Sequence, residues 1–181
     1  NGGNHNDSVK IIDNRAFYGC ASLETLDIPD SVTSIGDFAF YWCYTLISVT
    51  IPDSVTYLGG YAFWNCTGLR SVYISKKVTQ IYSTTFRDCT SLTSVIIPDG
   101  VTSIGSYAFC GCTDLTFVKM PKSVTNVGYS AFDDCTNLKN VYYSGNSKFY
   151  PSMIKESFVI PKPTLTSQDV SMVYTSGKMY S

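Results

Sequence analysis

Six cysteines recur every 23 residues, at Cys20, Cys43, Cys66, Cys89, Cys112 and Cys135. A constant period of this length restricts the chain to a solenoid, in which each repeat is one coil stacked on the next. One such coil cannot bury its own apolar side chains, so neighbouring coils must bury them against each other. The question of function therefore moves from an enclosed pocket to an extended surface.

The units align as A-F-x-x-C-x-x-L-x-x-V-x-I-P-x-x-V-T-x-I-G. The second reads Ala39-Phe40-Tyr41-Trp42-Cys43, Leu46, Val49, Ile51-Pro52, Val55-Thr56 and Leu58-Gly59; the fourth reads Phe86, Cys89, Leu92, Val95, Ile97-Pro98, Val101-Thr102 and Ile104-Gly105. Leu-x-x-Val-x-Ile alternates at its end and predicts a short strand. Proline then stops the ladder. Val-Thr-x-Ile-Gly predicts a second extended segment, with glycine allowing a tight corner at positive φ. Ala-Phe-x-x-Cys has helical spacing and predicts a short helical or 3₁₀ turn.

These blocks recur together from about Val9 to Tyr143, and the chain resembles the BspA-like leucine-rich repeat family with its 23-residue unit. The resemblance implies a right-handed, horseshoe-like solenoid with a parallel β-sheet on its concave face. Short extended segments and helical or 3₁₀ turns would form the convex side. It also implies a cell-surface or secreted protein, bacterial or protozoan, that acts in adhesion to host or neighbouring-cell proteins. Two departures stand out. The third unit carries Ile74-Ser75-Lys76-Lys77 in place of Ile-Pro-Asp-Ser, Tyr82 in place of the corner glycine, and Thr85 in place of alanine; the fifth has Met120-Pro121. The third unit keeps its length, which predicts an intact coil with an altered convex side.

Charge and composition exclude several classes. Thirteen basic residues face 14 acidic ones with no basic run, which argues against a nucleic-acid partner. The apolar runs are too short to insert in a membrane. The only histidine is His5, so no Ser-His-Asp or Cys-His arrangement is available without it. Asp133-Asp134 fill variable sites of a turn, and Gly59-Gly60 lacks the Lys-Ser/Thr of a phosphate loop. No catalytic residue, metal site or cofactor is expected, and the chain is read as a non-enzyme.

The cysteine ladder is read as structural. Cysteines one coil apart stand near the strand spacing of about 4.8 Å, wider than the Cβ separation of about 3.8 Å in a disulfide. A straight ladder cannot surround a metal ion tetrahedrally. The resemblance implies that this column meets backbone groups of the turn. Cys110 lies off the ladder, in a column with Tyr18, Tyr41, Trp64 and Arg87 that is expected to face outward. It reads either as a reactive or pairing thiol or, more simply, as a tolerated surface substitution.

Two outward columns would line the concave sheet. One is Asp27, Thr50, Tyr73, Ile96, Lys119 and Tyr142; the other is Thr25, Ser48, Ser71, Ser94, Phe117 and Asn140. Their later part gathers exposed aromatic and apolar residues, the composition of a protein-binding surface. Tyr73, Ile96, Phe117, Lys119 and Tyr142 are therefore the candidate partner-binding residues. A second aromatic set lies on the turn side, with Trp42, Trp64 and Tyr41 as surface candidates and Tyr18, Phe38, Tyr61 and Tyr107 beside them. It reads either as a sugar-stacking platform or as packing between coils. The reading is a protein-binding module, with a structural stalk or a glycan binder as alternatives.

The ends fall outside the repeat. Residues 1–8 sit where a strand is due but lack its pattern, so the sequence reads as a piece cut from a larger protein. Residues 9–143 form the repeat domain. Residues 144–181 read as a cap and linker, or the start of a further segment. Phe149 to Phe158 is expected to form a short amphipathic helix over the last coil. An extended stretch follows from Ile160, and Thr166 to Tyr180 adds a strand or runs on.

Overall fold

The computed structural model describes residues 9–143, 158–159 and 172–176. These form a β-solenoid of about six turns. Each Leu-x-x-Val segment supplies one strand of a front sheet: Thr25–Leu26, Ser48–Thr50, Ser71–Tyr73, Ser94–Ile96, Phe117–Met120 and Asn140–Tyr143. Each Val-Thr-x-Ile segment supplies a two-residue corner strand: Ile11–Ile12, Ser34–Ile35, Tyr57–Leu58, Gln80–Ile81, Ser103–Ile104 and Asn126–Val127. Like strands pair in parallel one repeat apart, as in Ser48 with Ser71 and Phe117 with Asn140.

The helical turn expected at Ala-Phe-x-x-Cys does not form, and no helix occurs among the described residues. Donors along it alternate instead. Tyr41 and Cys43 N–H bond back to Phe38 and Phe40 carbonyls (3.2 and 3.1 Å), while Phe40 and Trp42 N–H bond across to Ala62 and Trp64 in the next coil (2.8 and 3.1 Å). The cause is two left-handed residues per coil, here Phe38 (φ 57°) and Trp42 (φ 63°), which a right-handed helix excludes. The second of these columns reads Gly19, Trp42, Asn65, Asp88, Gly111 and Asp134, mostly residues that tolerate this conformation.

The core runs through the solenoid as continuous columns. Phe17, Phe40, Phe63, Phe86, Phe109 and Phe132 stack with centroids 5.0 to 5.5 Å apart. Beside them the cysteines form a thiol ladder. Cys43, Cys66, Cys89, Cys112 and Cys135 each donate to a phenylalanine carbonyl of the preceding coil, at 3.1 to 3.2 Å. All described thiols are free. Burial pushes the Cys43 thiol up to about 11 and raises the Cys66, Cys89 and Cys112 thiols well above the ordinary range. Buried thiols of this kind act as small apolar groups with a weak donor.

The corner glycines serve close approach, since none of the four adopts positive φ. A Cβ would fall 2.6 Å from Asn14 N at Gly36 and from Asp37 N at Gly59, 2.5 Å from Ser83 N at Gly105, and closer still to Ser106 N at Gly128. Each of these glycines donates to an isoleucine carbonyl of the preceding coil at 2.7 to 2.8 Å.

Tyr82 breaks this column, and its Cβ wedges two coils apart. It makes no corner bond to Leu58, and Thr79 makes neither the backbone nor the hydroxyl bond to Thr56 that the other corner threonines make to their counterparts. The separation reaches the front sheet, where Ser71–Tyr73 and Ser94–Ile96 belong to different sheets. Across this seam the turn side holds, through bonds such as Phe63 N–H to Thr85 O (2.9 Å), and so does the entry to the front strands, through Thr93 N–H to Arg70 O (3.3 Å). The third unit's departures thus alter both sheets and not merely the convex side.

At the far end, Met172–Ser176 pairs antiparallel with Asn140–Tyr143, and Phe158–Val159 pairs antiparallel with Met172–Ser176. A strand therefore lies within the stretch from Thr166 to Tyr180. Phe158 is in a strand; the rest of the expected helix, like residues 1–8 with His5, lies outside the described residues.

Candidate binding surface

Alternation along each front strand decides what faces solvent. Val49, Val95, Val118 and Val141 point into the core, so the flanking residues point out. Tyr73 (42% exposed), Ile96 (61%) and Tyr142 (39%) stand on this face. Lys119 is exposed between them, and Phe117 is half-buried with its ring 5.3 Å from that of Tyr142. The five candidates thus form one strip across four consecutive coils.

A cleft of about 410 Å³ opens in this strip along the seam. Tyr73, Ile96 and Lys119 line it, together with Val72, Ile74 and Ile97 at its base and Lys76, Pro98, Asp99 and Pro121 at its ends. Val72 is only half-buried, unlike Val49, Val95, Val118 and Val141, because the neighbouring strand has moved away. Phe117 and Tyr142 sit one and two coils further on. The sequence places five of the lining residues, Ser71, Tyr73, Ser94, Ile96 and Lys119, at outward positions. The cleft itself was signalled only by the lost glycine at Tyr82 and the lost proline at Ser75.

The near side of the cleft is held in place by Asp53. Its carboxylate accepts from the Lys76 backbone N–H (2.9 Å) and from the Tyr73 hydroxyl (3.1 Å), and the Lys76 ammonium lies 3.8 Å away. The backbone bond, aided by Tyr73 and the lysines, holds the Asp53 carboxyl below its usual range. Ser75 replaces the proline and is fully buried, donating to the Val55 carbonyl (2.6 Å). Lys119 makes no ion pair among the described residues.

The turn-side aromatics pack mainly on one another. Tyr41 is buried, a correction to its place among surface residues, because Tyr18, Trp42 and Trp64 surround it at 4.7 to 4.9 Å. Trp64 is also engaged: its indole N–H donates to Asp88 (3.1 Å) and the Arg87 guanidinium lies 5.7 Å from its ring. Trp42 alone of the three is well exposed, at 43%. Cys110, expected to face outward, is buried as well. Its column packs between coils, and burial pushes its thiol up against the opposing pull of Arg87.

Among the described residues, no group of His, Cys, Asp and Glu is placed to hold a metal ion, and no helix is long and apolar enough to cross a membrane.

Stacked coils with parallel Leu-Val strands and a cysteine turn column define a leucine-rich repeat protein. The BspA type leucine rich repeat region, in six copies, matches residues 10–139 and 79–168, and the chain belongs to that family. Leucine-rich repeat domains are in general scaffolds for protein interaction. The structure is similar to a leucine rich cell surface protein from Faecalibacterium prausnitzii, with a TM-score of 0.67 and 39% identity over 72% of this chain and 34% of that one. It is also similar to the leucine-rich repeat protein of T. pallidum, with a TM-score of 0.66 and 31% identity over 72% of this chain and 62% of that one. The pneumococcal vaccine antigen PcpA, 17% identical with a TM-score of 0.56 over 69% of this chain and 31% of that one, shares the fold. The chain thus spans about a third of the first of these proteins and less than two thirds of the second. No curated protein sequence matches it.

Proposed function

We propose that this chain is a non-enzymatic protein-binding module of a cell-surface or secreted protein, acting in adhesion to host or neighbouring-cell proteins. The observation that carries this reading is the strip of Tyr73, Ile96, Phe117, Lys119 and Tyr142 on one face of four consecutive strands. Aromatic and apolar side chains held on rigid strands lose little entropy on binding and are typical anchors of protein interfaces. Similarity to a bacterial cell surface protein of the same repeat type supports the location.

The test is capture of host matrix proteins on an array by the wild-type chain and by a variant carrying Phe117→Ser and Tyr142→Ser. Loss of two such anchors is expected to weaken capture by roughly tenfold or more with the melting temperature unchanged. Equal capture by both proteins excludes this face. A spacer would capture nothing at micromolar concentration. A glycan binder working through Trp42 would instead respond on a glycan array and lose that response with Trp42→Ala.

A further inference from the structure

We propose that the seam cleft is a socket for a single apolar side chain of an extended partner peptide, with an acidic neighbour of that side chain held by Lys119. This rests on the reading of the front sheet as a protein-binding face and names the class of partner.

Three observations lead to it. The first is that the cleft has a built-in cause. Every other corner from Gly36 to Gly128 is a glycine pressed on the preceding coil, and Tyr82 alone brings a Cβ to that contact. The wedge keeps open a volume of about 410 Å³, within the range of small-ligand sites.

The second is what the opening leaves unpaired. Ile51 N–H bonds to Tyr73 O and Ile97 N–H to Lys119 O, both at 2.9 Å; the equivalent bond from Ile74 to Ile96 is missing, as is that from Ile28 to Thr50 in the first coil. Ile74 is buried, so its N–H faces the cleft without a partner among the described residues. A buried unpaired amide costs roughly 1–3 kcal/mol, which an acceptor from a ligand offsets.

The third is shape and charge. Ser71–Tyr73 and Ser94–Ile96 still approach within 8 Å between Cα atoms, and an inserted strand needs about 9.6 Å, two ladder spacings. Main chain therefore does not fit between the strands, while a side chain does. The base of Val72, Ile74 and Ile97 takes an apolar group. On the rim Lys76 is already matched by Asp53, which leaves Lys119 as the available cation, and Asp99 stands at the far end. An acidic residue beside the apolar anchor suits Lys119.

The experiment uses the full chain and three capped tetrapeptides, acetyl-Gly-Leu-Glu-Gly-amide and its relatives with Lys for Glu or Ala for Leu, followed by amide chemical shifts. The Leu-Glu peptide is expected to shift the Ile74 and Ile96 amides. Each relative should bind at least tenfold more weakly, and Lys119→Glu should reverse the preference between Glu and Lys. Tyr82→Gly restores the corner used by other coils without touching the cleft. It should lose the peptide at least tenfold and slow hydrogen exchange of the Ile74 amide.

Absence of any shift at about 10 mM peptide, equal binding by Tyr82→Gly once its Ile74 amide is protected, or shifts centred on Trp42 would each overturn the proposal. Capture of a matrix protein that falls with Phe117→Ser and Tyr142→Ser but survives Tyr82→Gly would sink the socket and leave the front-sheet reading standing. Peptide binding with the preferences above, but no array capture, would do the reverse.

Discussion

Ile74 and Ile96 occupy the positions that join Ile51 to Tyr73 and Ile97 to Lys119, yet no hydrogen bond runs between them. One coil junction is thus held by its turn side and by the Thr93–Arg70 bond at the entry to the front strands, while the ladders of both its sheets are interrupted. Native-state hydrogen exchange should register this directly. The Ile74 amide is expected to exchange at least tenfold faster than those of Ile51 and Ile97, since local opening is easiest where backbone bonds are missing. Equal protection at the three sites would mean that the ladder is continuous in solution.

The thiol ladder predicts a loss of stability in alkali. The Cys43 thiol is raised from an ordinary value of 9.0 to about 11 in the folded chain. A raised folded value means that the unfolded chain gives up its proton first. The contribution is therefore complete below pH 9.0 and is lost as pH rises toward about 11. Urea midpoints measured from pH 8 upward should fall across that window, and Cys43→Ala should lessen the fall. A flat profile would contradict neutral, buried thiols.

Close approach at the corners predicts a sharp cost for one added methyl group. In Gly105→Ala the new Cβ meets Ser83 N at 2.5 Å, so the coil must move as it has at Tyr82. The expected loss is about 1–3 kcal/mol by chemical denaturation, with faster exchange of the residue 105 amide as its bond to Ile81 breaks. An unchanged midpoint would mean that the corner yields freely, and Tyr82 would no longer account for the seam.

Much of this protein is legible in its sequence because a repeat writes each rule six times. The inward columns of Phe, Cys, Leu, Val and Ile follow from register alone, and so do the outward positions of Tyr73, Ile96, Lys119 and Tyr142. Ala-Phe-x-x-Cys predicts a helical turn because it shares helical spacing, and the structure has none there. The Gly, Asn and Asp at residues 19, 65, 88, 111 and 134 carried the opposite signal, a left-handed backbone once per coil. Sequence alone puts Tyr41 and Cys110 outward because a column that varies looks exposed, yet both are buried. Their burial depends on the size of neighbours one coil away, Tyr18, Trp64 and Arg87 among them.

By itself, then, the sequence determined the solenoid, the register of its ladders and the family, since each depends on a period that local chemistry repeats. The tertiary structure decided where the stack is imperfect. Tyr82 lies on the corner and the cleft it opens lies on the front sheet. The link between them is the rigidity of a whole coil, whose two sheets part together when one Cβ holds it away from the coil before.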